Sequence, residues 1–380
     1  MPRPQRRSGR VTPRGTRPAD RVRQQRGQRA PSLPDQVRAA LREPSPLGLL
    51  TLASTFVELC TARPTDVLDD AAEAKRDLDD VVGTFIGSGQ HEMIVLARCM
   101  ALLAGRSDLV AQAELPAPGP SAANRWLTAI DEWLPNGTGS LTDELDDGEN
   151  VFVGVAWPDG AAATFVVYVD HNMGTLVKDA FVIPVTFDEV MAQYRTIIEP
   201  GQQVAELAPA DARARLVEAL VQNDRTLPPI VTDSWPSCRP LAEWVLHRLP
   251  FGGAGFTRAV WSDADLDALA GELAGSPDGA VTGLTTDEVA TIVRPLLRLA
   301  TQYAHGDPLR WSAVAVEIAL MGAPWVPADL PPALQARLPD VLEALVRIAH
   351  QRRGVSADAT MLALSSVGQW TPAYLASLGS

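Results

Sequence analysis

The sequence predicts an α+β, predominantly α protein, with helical bundles flanking a small central antiparallel β-meander. Three observations carry that expectation. Apolar residues recur at helical spacing through residues 32–134 and again beyond residue 262. Residues 149–184 are instead rich in β-branched and aromatic side chains and are broken by two turn signals. A chain of 380 residues, 46% of them apolar, also exceeds the usual size of one domain. The expected divisions are 1–31, an Arg-rich tail; 32–134, a helical bundle; 135–230, the α+β unit; and 231–380, a C-terminal helical unit.

The tail is set apart by its charge. Residues 1–30 hold Arg3, Arg6, Arg7, Arg10, Arg14, Arg17, Arg21, Arg23, Arg26 and Arg29 against a single acid, Asp20, a balance of +9. Subtracting that from the whole-chain −13 leaves −22 for residues 31–380. With almost no large apolar side chains to offset ordering entropy, the tail is expected to be disordered. A cationic arm of this kind gains affinity for nucleic acid by releasing counterions from phosphates. It has no aromatic residue on which bases could stack, so any such contact would be nonspecific. The competing reading is an arm that folds back loosely on the acidic body.

Within the first bundle, Ser45-Pro46 reads as a cap followed by a proline at the first helical position, and Leu49, Leu50, Leu52, Phe56 and Leu59 follow at helical spacing. Further helices are expected over 91–103 and 122–134, the latter from the stripe Trp126, Ile130, Trp133 and Leu134. Pro158-Asp159-Gly160 and His171-Asn172-Met173-Gly174 then separate three strands, and 138–145 is a candidate fourth. Helices over 186–197 and 209–222 are expected to cover one face of that sheet. Another is expected over 241–249. Ser262 with Asp265 and Thr285 with Glu288 have capping-box spacing, and helices follow near 287–303, 311–322, 339–352 and 357–369, with Gly354 closing the third. Trp311, Trp325 and Trp370 are expected to knit this last unit together.

Three segments, 168–182, 234–250 and 306–322, resemble a family of uncharacterised actinobacterial proteins; the similarity would span roughly residues 45–375. The resemblance implies a bacterial cytoplasmic setting and brings no activity, cofactor or catalytic residue with it. Composition agrees with that setting. The apolar stretch 46–62 is interrupted by Ser54, Thr55 and Glu58 and is too short to cross a bilayer, so no membrane association is expected. The first thirty residues lack the apolar core of a secretory signal. Cys60, Cys99 and Cys238 are an odd, widely spaced set that suits a reducing compartment.

Chemistry-bearing motifs are sparse. Asp170, His171 and Asp179 are the candidate catalytic residues, because a histidine between carboxylates can move protons near neutrality. A four-residue loop from His171 to Gly174 would pair Asp170 with Thr175, Tyr168 with Val177 and Val166 with Asp179. That register separates the two carboxylates by roughly 13 Å at strand rise, too far to share a proton, and turns Lys178 to the opposite face. The bland reading is an exposed polar turn. Cys238 next to Arg239 could be a reactive thiol, but no histidine lies nearby in sequence. His91, His171, His247, His305 and His350 show no metal-ligand spacing, so neither a metal nor a cofactor is expected. Phe251 to Phe256 is glycine-rich but lacks the Lys-Ser/Thr of a phosphate loop.

Two functions remain in competition. The first is a non-catalytic binding or scaffolding protein whose acidic body contacts a protein partner. The second is a hydrolase-like enzyme with a cleft beside the central sheet, using His171 and nearby carboxylates. Converging ionisable side chains in a pocket favour the enzyme, and a broad apolar patch favours the scaffold. For the tail, deletion of residues 1–30 is expected to leave the thermal midpoint nearly unchanged and to abolish any salt-sensitive nucleic-acid binding. Equal binding by the full and shortened chains in a salt titration would refute a tail-based role.

Overall fold

The computed structural model describes residues 31–64, 76–115, 125–280, 283–302, 304–321 and 330–378, so the Arg-rich tail and Trp325 lie outside the described residues. Ahead of the sheet come α1 (Leu33–Ala40), α2 (Leu47–Cys60), α3 (Leu78–Gly87), α4 (His91–Leu103), α5 (Ser107–Gln112) and the single turn α6 (Arg125–Thr128). The sheet comprises β1 (Leu134–Asp143), β2 (Gly148–Ala156), β3 (Ala162–Asp170), β4 (Leu176–Ile183) and β5 (Gln202–Glu206), with α7 (Phe187–Ile197) between the last two strands. Two helices follow, α8 (Pro209–Arg225) and α9 (Trp235–Leu246). The C-terminal helices are α10 (Asp263–Ala274), α11 (Pro277–Ala280), α12 (Thr286–Gln302), α13 (Ala313–Met321), α14 (Pro332–Gln335), α15 (Leu338–Arg353) and α16 (Ala357–Ser377). This is the predominantly α, α+β class that the sequence predicts. Among the described residues no helix is long and apolar enough to cross a membrane.

All strand pairs are antiparallel, in the order β4-β3-β2-β1-β5. Alternation along β2 sends Val151, Val153 and Val155 to one face and Phe152 to the other. The first face joins Leu216 and Leu220 of α8, Leu241 and Val245 of α9, and the N-terminal helices in one core. On the second face α7 packs Phe187, Val190 and Met191 over Phe152 and Val166. Helices therefore cover both faces rather than the expected one, which explains why β2 and β3 are buried almost throughout. The last seven helices enclose a separate core that includes Trp311, Leu342 and Tyr374, against which Trp370 packs.

Side-chain caps start several helices, although at α2 Pro46 occupies the cap position expected for Ser45. Capping boxes form at Thr186 with Glu189 and at Ser262 with Asp265, and the Thr285 and Glu288 side chains reciprocate in the same manner. Gly354 ends α15 at a φ of 68°. Three expectations need correction. The helix expected over 122–134 shrinks to α6 and a turn, since Leu134 and Pro135 already belong to β1; Trp126, Ile130 and Trp133 are nonetheless buried. Strand β5 was not foreseen, because QQVAE is a short polar edge strand with little β signal. The β3–β4 register also differs. Asp170 faces Leu176 and Tyr168 faces Asp179, with an irregularity that leaves Lys178 as the extra residue.

That bulge lengthens the connecting loop to residues 171–175 and draws it inward. Gly174 takes the positive φ expected of it, 102°, and Thr175 is also left-handed. His171, however, is 1% exposed and cannot be an exposed turn residue. Gly174→Ala is expected to cost about 1–2 kcal/mol through backbone strain. His171→Ala, which removes a buried ring, is expected to cost more, about 2–3 kcal/mol. Chemical denaturation ranks the two, and a negligible loss for His171→Ala would contradict the buried placement.

Candidate functional site

The turns at one end of the sheet are built to hold polar groups. In the β1–β2 turn, the Asp143 carboxylate accepts hydrogen bonds from the Leu145 and Asp147 amides, and Asp146 is held at a φ of 58°. Beside it the β3–β4 loop is anchored by the His171 amide donating to the Asp147 carbonyl, 3.0 Å, and by Asn172 Nδ2 donating to Asp147 Oδ1, 2.8 Å. Arg310, from the segment before α13, donates through one Nη2 to both Asp147 Oδ1 and Asn172 Oδ1. The two turns and the C-terminal unit are thereby fastened at a single point.

The same fastening brings His305 to the sheet. It sits after α12 at a φ of 61°, followed by Gly306 at 74°. A Cβ on Gly306 would lie 2.5 Å from the Ala259 carbonyl oxygen, so only glycine fits where the 250–262 connection crosses. The Ala259 amide in turn donates to the His305 carbonyl, 2.8 Å. Two non-glycine residues in left-handed backbone, Asp146 and His305, thus flank one small volume. Strain of this kind persists only where the surroundings over-determine it, and it clusters at functional sites.

Asp146, His171 and His305 each bring a potential metal-ligand atom to within 4.8 Å of the others. The two imidazole rings lie 4.0 Å apart between centroids, with Phe256 against both at 4.9 and 5.2 Å. Nδ1 of each histidine is buried without a hydrogen-bond partner. Burial pushes the His171 pKa down to about 2, reinforced by His305 and by the positive charges of Arg310, Arg215 and Arg258. His305 is also lowered, again chiefly by burial. Both rings are therefore neutral at physiological pH and keep a lone pair for a Lewis acid.

These groups line a cavity of about 360 Å³ together with Ser140 and Thr142 of β1, Glu149 of β2, Arg215 of α8 and the Gly255-Phe256-Thr257 backbone. Glu149 continues the row of Val151, Val153 and Val155 on the core face and is 1% exposed. Its Oε1 accepts from Arg215 Nη1 at 2.5 Å, while Oε2 is buried without a partner. Burial pushes the Glu149 pKa up, and Arg215 opposes that shift. The Arg215 guanidinium lies 5.5 Å above the Phe256 ring, and Phe256 is tied down by its amide donating to Glu218 Oε2, 3.0 Å.

The residues singled out in the sequence divide. His171 is at the centre of the cavity. Asp170 is not: its Oδ2 pairs with Lys178 Nζ at 2.8 Å and its Oδ1 accepts from the Met173 amide. The bulge brings Lys178 to Asp170, correcting the expectation of opposite faces. Asp179 faces away too, accepting from Thr232 Oγ1, Ser234 Oγ and the Ala180 amide. Cys238 is no activated thiol: burial raises its pKa, and Arg239 is committed to Asp224 and Glu243. The ten tail arginines lie outside the described residues. Sequence reasoning missed Asp146, Glu149, Arg215 and His305. Only Glu149 carried a signal, as a carboxylate in phase with a row of valines.

No protein-family model matches the chain, no curated protein is detectably similar to it, and no solved structure matches it.

The buried histidines make acid sensitivity predictable. His171, His305 and His350 all have pKa values below the ordinary 6.5, with burial the foremost cause. In the unfolded chain each takes up a proton near that pH, so the unfolded state binds more protons as pH falls below about 6.5. The stability present above pH 6.5 is therefore lost on acidification, by at most about 1.4 kcal/mol per pH unit per histidine. The raised carboxyls of Asp143 and Glu149 act in the opposite sense, adding stability as pH falls through their folded-state pKa values. Unfolding free energies of metal-free protein between pH 7.5 and 5.5 test this, and replacing His171 and His305 by Gln should flatten the slope. His350 should leave a residual slope, and a slope undiminished by both replacements would show that the two rings are not buried in neutral form.

Proposed function

We propose that the cavity is the active site of a hydrolase working with a divalent transition-metal ion held by Asp146, His171 and His305. The observation that carries this reading is the convergence of three ligand atoms within 4.8 Å, two of them from neutral imidazoles whose Nδ1 atoms are buried without partners. Two histidines and one carboxylate are a donor set for Zn²⁺ or Fe²⁺ that leaves coordination positions open. An ion so held supplies Lewis acidity and lowers the pKa of a coordinated water toward about 7. Converging ionisable groups in a cavity favour the enzyme over the scaffold.

Glu149 is the proton acceptor in this reading. Its Oε2 has no partner, and burial holds its pKa above the ordinary glutamate value, in the direction that a general base near neutrality requires. Oxygen from water adds to the electrophilic centre of the substrate, the scissile bond breaks, and its electron pair leaves with the departing group. Glu149 takes the proton from water and returns it to that group, so one water is consumed and Glu149 is restored.

Metal-stripped protein titrated calorimetrically with Zn²⁺ is expected to take up one ion per chain. His171→Ala and His305→Ala should each weaken uptake by at least about 100-fold, since loss of supporting residues alone costs 10–100-fold. Wild-type protein should gain about 2.7 kcal/mol of stability at an ion concentration 100 times Kd, and the variants should not. Uptake that is unaffected by both substitutions would overturn the reading.

A further inference from the structure

Resting on that metal-centred reading, we propose that the cavity receives a small hydrolysable substrate bearing an oxyanion, either a phosphate monoester or a compound with a free carboxylate, and that Arg215 is the residue selecting for the oxyanion. Arg215 is the guanidinium among the described residues lining the cavity. Its Nη1 is taken by Glu149 Oε1, but Nε is buried with no hydrogen-bond partner. A guanidinium in a cavity with unspent donors is suited to a planar or tetrahedral oxyanion, which accepts two parallel N–H bonds.

The surroundings fix Arg215 in place without neutralising the whole site. Phe256 lies beneath the guanidinium, and its backbone is held by Glu218. Arg258 is paired with that same glutamate, and Arg310 with Asp147. The charged groups lining the cavity are Asp146, Glu149 and Arg215, so a divalent ion held at Asp146, His171 and His305 would turn that lining from net negative to net positive. The Thr142 hydroxyl on the β1 wall adds a neutral donor suited to the remaining oxygens of the anion, while the Ser140 hydroxyl is engaged with Glu149. At about 360 Å³ the cavity is near the lower end of the range for small-molecule sites, which excludes a polymer from being enclosed.

The test uses full-length protein, with and without one equivalent of Zn²⁺, titrated with inorganic phosphate, with acetate and with neutral acetamide. Phosphate or acetate should bind and acetamide should not; which of the two anions binds more tightly separates the phosphate from the carboxylate source. Arg215→Lys retains the charge that Glu149 needs but loses the fork, and should weaken anion binding at least tenfold. Arg215→Gln combined with Glu149→Gln removes both members of the pair, avoids a buried unpaired carboxylate, and should lose anion binding. Circular dichroism establishes folding of each variant, and the Arg215→Lys variant keeps the test decisive should the double variant not fold. Equal anion affinity in wild type and Arg215→Lys, binding of acetamide as tightly as the anions, or no anion binding by wild type in either form would overturn the inference. A wild type that binds anion through Arg215 but takes up no Zn²⁺ would instead overturn the metal assignment and leave the role of Arg215 standing.

Discussion

Arg310 carries a charge that it cannot shed into an environment where its side chain is 1% exposed. Such a group is tolerable only if its partners are held in place, and here they are Asp147 in the β1–β2 turn and Asn172 in the β3–β4 loop. The pairing consequently does more than satisfy a cation. Asp147 adjoins Asp146, Asn172 adjoins His171, and Arg310 lies five positions beyond His305. One bridged carboxylate thus sets the relative positions of all three proposed ligands. Nε and Nη1 of Arg310 are left buried without partners, a cost that an interaction kept for stability alone would not favour. Geometry at the cavity is the compensating gain.

What could be read from the sequence, and what could not, follows from the range of the interactions. Caps, turns and periodic faces are local, and they located Ser262, Thr285, Gly174 and Gly354 correctly. Stripe Trp126, Ile130 and Trp133 did reach the core, although the backbone there is mostly turn; burial was legible where conformation was not. Register failed at one residue, because nothing in the local sequence marks Lys178 as the extra residue opposite Tyr168 and Val169. That slip hid the inward turn of His171. The meeting of His171 with His305 depends on contacts between opposite halves of the chain, for which spacing rules between histidines give no signal. Glu149 was the exception: a carboxylate in phase with Val151, Val153 and Val155 breaks the pattern of its own strand, and such conflicts between local pattern and fold mark functional positions.

The division of labour among elements explains why the cavity lies where it does. Its rigid wall is β1 and β2, whose side chains are fixed by cores on both faces of the sheet. Its opposite side is contributed by the 250–262 connection and by the short 3-10 turn Ala304–Gly306 after α12, which can carry Gly306 and the left-handed His305 because no ladder constrains them. Between these lie two separate apolar cores, one shared by sheet and N-terminal helices and one belonging to α10–α16. Glu144 strengthens the junction by accepting from the Ser356 amide at the start of α16, 2.9 Å. Polar groups buried at the junction of two cores are poor devices for stability. They are good devices for holding reactive groups out of water.

Charge at the two length scales of this chain points in opposite directions. The body carries −22 over residues 31–380, which taken alone would repel an anionic substrate. Salt screens exposed charges beyond about 8 Å at physiological ionic strength, so the total has little bearing on a group inside the cavity. There the effect is set by neighbours that screening reaches weakly, the cations Arg215, Arg258 and Arg310 together with the Asp146 and Glu149 carboxylates. Each arginine is paired with one acid: Arg215 with Glu149 inside the cavity, Arg258 with Glu218, and Arg310 with Asp147 in the adjoining turn. Paired in this way, the arginines cost less to bury than free cations and still leave Arg215 Nε unspent. An acidic surface and an anion-receptive interior are therefore compatible, because selection occurs after entry and depends on one guanidinium and its aromatic floor.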